Sequence, residues 1–125
     1  MNLDLYAERH GVMVVYDDIP ASQAISVPGA VCLDYSFTAH EGERAVVLAH
    51  ELGHQATGAF YTRDASQIVR AKAERRADVW AVRHLVTKKQ LQKAMRRCSS
   101  DWELAQLLGL PEDEVRRICD YYLCA

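Results

Sequence analysis

The sequence of 125 residues predicts an α+β domain that is mostly helical, with a small antiparallel sheet near the N-terminus and a helical C-terminal tail. Two observations predict it. Short β-branched runs separated by turn residues are confined to the stretch before Asp34, and beyond it apolar residues recur at helical spacing between recognisable caps.

Residues 2–10 carry Leu3, Tyr6 and Ala7 at helical spacing, with Gly11 as the stop. Val12-Met13-Val14-Val15-Tyr16 reads as a first strand, closed by a turn at Asp17-Asp18-Ile19-Pro20. Ile25-Ser26-Val27 and Ala30-Val31-Cys32-Leu33 flank Pro28-Gly29, the pair that a type II turn prefers, and complete the antiparallel sheet. Thr38 and Glu41 have the spacing of a capping box, so a helix is expected from Thr38 to about Thr57, with Gly58 ending it. Within it, Gly53 reads as room for a close neighbour. Asp64 and Gln67 repeat the capping spacing and open a helix over about 65–86, with Glu74, Asp78, Ala81 and Leu85 on one face. Thr87 caps a helix through Arg97, buried through Leu91, Ala94, Met95 and Cys98. Ser99 and Ser100 cap a short helix ending at Gly109, and Pro111 opens a last helix buried through Val115, Ile118 and Tyr122.

This length can bury a core without disulfide staples, and no second large domain is expected. We expect a core at residues 1–86, with helices at 87–125 packed on the same domain. A net charge of −2 gives no overall attraction to nucleic acid or an anionic membrane. Cys32, Cys98, Cys119 and Cys124 show no paired metal spacing and read as reduced, mostly buried thiols. The N-terminus has acids where an export signal needs a basic end and a long apolar run, so the expected compartment is the cytoplasm, with no membrane contact.

The chemistry is concentrated in Val46-Val47-Leu48-Ala49-His50-Glu51-Leu52-Gly53-His54. His50 and His54, four residues apart, lie one above the other on a helix face and can converge on one zinc ion. Glu51 sits about 100° around from His50, off the metal but beside any water there, as a general base requires. A catalytic zinc takes three protein ligands and an open position. Glu74, twenty residues after His54 on the next helix, supplies the third, and Asp78 can accept a hydrogen bond from the outer nitrogen of a ligand histidine. Manganese or iron would also suit this set. Tyr61, His40 and His84 are candidate donors to the transition state.

The segments Leu48-Ala49-His50-Glu51-Leu52-Gly53-His54 and Glu74-Arg75-Arg76-Ala77-Asp78 together resemble the ImmA/IrrE family of metallopeptidases, found in phages, integrative elements and bacteria. The family's second motif, a glutamate, two variable residues, alanine, then aspartate or asparagine, is matched by Glu74, Ala77 and Asp78. The resemblance implies a minimal zincin-like fold and a gluzincin-type site, with Glu74 as third ligand and Glu51 as base. It further implies a partner substrate: a helix-turn-helix repressor of a phage or mobile element, whose cutting makes the enzyme an anti-repressor.

By analogy with zincins, the substrate would lie extended along an exposed edge at Val31 to Leu33. Ala105, Gly109, Val115 and Ile118 fit helix-turn-helix spacing, but Glu112, Asp113 and Glu114 put three acids where phosphate contacts belong, so DNA binding is not expected. Two alternatives remain open: a non-catalytic metal-binding regulator that contacts a repressor or DNA through its C-terminal helices, and a deformylase-like site in which Cys32 joins the two histidines.

Overall fold

A computed structural model describes residues 2–19 and 24–123. The elements run α1 (Leu3–Arg9), β1 (Met13–Asp17), β2 (Ala24–Val27), β3 (Ala30–Asp34), a 3-10 turn (Tyr35–Ala39), α2 (Glu41–Thr57), α3 (Gln67–Leu85), α4 (Lys88–Met95), α5 (Asp101–Leu108) and α6 (Glu112–Leu123). The α+β class stands. The expected loop at Asp17–Pro20 lies partly outside the described residues, as does Cys124.

The sheet is mixed rather than antiparallel, in the order β1-β3-β2. Gly29, at φ 87°, takes the positive-φ place in the turn, and β2 and β3 pair antiparallel as expected. β1 instead joins the other side of β3 in parallel, starting where the Met13 amide donates to the Gly29 carbonyl. That register makes β3 the central strand. Val31 and Leu33 point inward with no exposure, against Leu48, Ala49 and Leu52 of α2. The expected substrate edge at Val31 to Leu33 is therefore occupied on both sides, and among the described residues β1 and β2 are the two edge strands.

Most local caps fall where expected, but two do not. Thr38 lies inside the 3-10 turn that Asp34 caps, and its hydroxyl bonds the Tyr35 carbonyl, so α2 begins at Glu41 with no side-chain cap. Ser66 rather than Asp64 caps α3, accepting from the Val69 amide. Thr87 and Gln90 form a full capping box, Ser100 caps α5, and Gly58 and Gly109 take the left-handed ends of α2 and α5. α4 stops at Met95, short of the expected Arg97; it buries Leu91 and Ala94, Met95 is exposed, and Cys98 packs partly buried beyond the helix end.

Two apolar clusters result. One joins the sheet, α1 and α2; the other gathers Val82, Val86, Leu91, Leu104, Val115 and Ile118 from α3 to α6. Leu85 packs against both. Where α2 crosses α3, a Cβ on Gly53 would stand 2.5 Å from the Ala77 carbonyl oxygen and 2.9 Å from its Cα. The glycine is what lets the two backbones come so close, as the sequence suggested.

Candidate metal centre

α2 lifts His50, Glu51 and His54 from its inner face while α3 brings Glu74 and Asp78 opposite. The ligand atoms of His50, His54 and Glu74 all lie within 4.8 Å of one another. His54 Nδ1 donates to the Ala59 carbonyl at 2.7 Å, an acceptor supplied by the turn after Gly58. His50 Nδ1 donates to Asp78 Oδ1 at 2.8 Å. Both neutral rings therefore carry the lone pair on Nε2. Those Nε2 atoms stand 3.2 Å apart, with Glu74 oxygens 2.8 Å from His50 and 3.3 Å from His54. Either shared protons or a cation can hold such atoms together, and two imidazoles with a carboxylate suit a divalent ion. His50, His54 and Glu74 could hold one.

The surroundings tune these groups. The Asp78 hydrogen bond raises the His50 pKa against the opposing effect of burial. Burial alone would raise Asp78, but the His50 hydrogen bond and the charges of His50 and Arg117 hold it below the usual carboxylate range. Glu51 is pushed up chiefly by burial, with His50 and His54 pulling the other way. A raised carboxyl pKa suits a group that must take and return a proton.

Tyr61 reaches the cleft, and its hydroxyl donates to Glu74 Oε1 at 2.8 Å. His40 does not: it is exposed just before α2, ten residues and about 15 Å of helix from His50. His84 also lies elsewhere, stacked on Trp80 with ring centroids 3.8 Å apart and its Nδ1 donating to the Trp80 carbonyl. Cys32 alternates with the buried Val31 and Leu33, so it faces away from α2, apart from the two histidines.

Sequence reasoning missed two supporting groups. Gln55, one turn after Glu51, donates to Ser26 Oγ at 2.8 Å and to the Val27 carbonyl at 2.6 Å, and Ser26 in turn hydrogen-bonds Glu51. β2 is thereby tied to the base. On the other side Arg117 of α6 reaches Asp78 Oδ1 at 3.3 Å and Glu114 Oε2 at 3.2 Å. Neither link has a local signal, because each joins elements distant in the chain.

A peptidase family model described as the IrrE N-terminal-like domain matches residues 7–119. Among solved structures the fold is similar to that of a Mycobacterium tuberculosis transcriptional regulator, with a TM-score of 0.73 and 18% identity over 94% of this chain and 39% of that one. At that identity the likeness is one of fold. No curated protein sequence matches. Among the described residues no helix is long and apolar enough to cross a membrane.

Proposed function

The chain belongs to the peptidase family described as IrrE N-terminal-like, and from that premise we propose that it is a zinc-dependent endopeptidase acting on a regulatory protein. The carrying observation is the convergence of His50 Nε2, His54 Nε2 and Glu74, with both ring tautomers set by acceptors behind them. His50, His54 and Glu74 would hold the ion, and Asp78 would orient His50. Residues 1–86 form the catalytic core in this reading, and the helices of 87–125 complete its cleft.

A bound divalent ion supplies Lewis acidity, polarising the scissile carbonyl and acidifying the water that attacks it. Glu51 takes a proton from that water as its oxygen bonds to the carbonyl carbon, and returns it to the nitrogen as the C–N bond breaks. Ser26 and Gln55 hold Glu51 in place. Tyr61 is the donor at hand for the oxygen that gains charge. The substrate chain lies extended beside β2, the edge strand whose Ala24 and Ser26 line the cleft. The substrate we assign is a helix-turn-helix repressor of a phage or mobile element, which makes the enzyme an anti-repressor in the cytoplasm. DNA is not its partner here: α6 opens on Glu112, Asp113 and Glu114, and its Glu114 and Arg117 line the cleft.

Co-expression with the product of an adjacent repressor gene tests this reading. Glu51→Gln should keep zinc and fold yet slow cleavage by about 10²–10⁴-fold, the usual contribution of a general base. Cleavage by that variant at the unmodified rate would remove Glu51 from the mechanism.

A further inference from the structure

Two cavities flank His50 and Glu51, sharing Ala24 at the β2 edge. The one on the Tyr61 side is lined mainly by the polar groups of the metal centre. The other, about 340 Å³, opens between α2 and α6 and has no role in the chemistry above. Its floor is aliphatic, made by Val46, Val47 and Ala81, and its far wall carries Glu114 and Arg117.

Glu114 is unusual for an acid in being only 5% exposed. Its Oε2 takes the Arg117 contact, while Oε1 accepts no hydrogen bond among the described residues. Arg117 is divided between Glu114 and Asp78. Around this corner stand four carboxylates, Glu51, Glu74, Asp78 and Glu114, against one guanidinium. With all four ionised, one negative charge remains in excess even when the histidines hold a divalent ion. An aliphatic trough ending in an under-neutralised buried carboxylate matches one kind of side chain, a long apolar stem with a cationic head.

We propose that this cavity is a specificity subsite that takes a lysine or arginine of the substrate next to the scissile bond, its stem on Val46, Val47 and Ala81 and its head on Glu114. The proposal rests on the peptidase reading above and adds the chemistry of one substrate position. It makes α6, remote from the histidine motif in sequence, the element that selects the substrate. A neutral apolar side chain would fill the trough but give Glu114 Oε1 no donor in place of solvent, which disfavours it.

The test is a peptide library prepared by cleavage at glutamate, so that internal lysines and arginines survive, digested by the zinc-loaded protein and sequenced by mass spectrometry. Glu51→Gln serves as the blank. The expected result is about tenfold enrichment of lysine and arginine at one position flanking the cut, corresponding to about 1.4 kcal/mol. That enrichment should vanish in Glu114→Gln. Val46→Lys, which sets an ammonium on the half-exposed floor, should abolish it too and serves if Glu114→Gln fails to fold. Cleavage that depends on zinc and Glu51 but shows no basic preference, or keeps it in both variants, overturns the subsite alone. No cleavage above the blank counts against the peptidase reading and takes the subsite with it.

Discussion

The two parts of α3 sit in different surroundings. The part running through Asp78 meets α2 through bare backbone, with Gly53 against Ala77, and sets Glu74 and Asp78 beside two histidines. The rest of the helix ends in an aliphatic cluster of Val82, Val86, Leu91, Val115 and Ile118, fastened where the Tyr122 hydroxyl donates to the Val86 carbonyl at 2.6 Å. One region is shaped by the closeness its chemistry needs; the other is filled for cohesion. Small residues and polar pairs bury little apolar area, so stability comes mainly from the clusters, and the candidate metal centre draws on a frame it contributes little to.

If that division holds, the largest loss of stability comes from the cohesive part. Ile118→Ala removes a side chain with no exposure and should cost about 2–5 kcal/mol in urea unfolding, while the folded fraction still binds zinc at near-normal affinity. Loss of zinc from that folded fraction would break the comparison. Gly53→Ala should do the reverse. An alanine normally stabilises a helix interior by about 1 kcal/mol over glycine, but here the added carbon meets the Ala77 backbone, which cannot move without displacing α3. The expected net cost is about 1–3 kcal/mol, with zinc binding impaired as Glu74 is pushed away from the histidines. Asp78→Asn is the smallest change: stability nearly unaltered and zinc affinity lower by about 10–100-fold in a chelator competition, as for other groups that orient a ligand histidine. Unchanged affinity there would leave Asp78 with a purely structural role.

The sequence made the local features of both parts legible. Thr87, Ser100, Gly58 and Gly109 act within a turn of where they stand, and the four-residue histidine spacing reads directly as a helix face. Gly53 was readable because a glycine between two histidines in a helix needs a reason. What stayed hidden depends on partners far along the chain. The parallel entry of β1 beside β3 is decided by a contact at Gly29, and the Thr38 box failed because Asp34 captures that stretch for a 3-10 turn. Arg117 lies 39 residues beyond Asp78, and nothing in its neighbourhood marks it as that carboxylate's partner. Ala59 orients His54 through its backbone carbonyl, a role that no side-chain pattern encodes.

The central claim is that His50, His54 and Glu74 form one metal centre. Metal analysis of the purified protein beside Glu74→Ala and Cys32→Ala, with folding checked by circular dichroism, tests it most directly. The account predicts one zinc per chain in the unmodified protein and in Cys32→Ala, and its loss from a still-folded Glu74→Ala. Full zinc retention by Glu74→Ala, or loss only from Cys32→Ala, would contradict it.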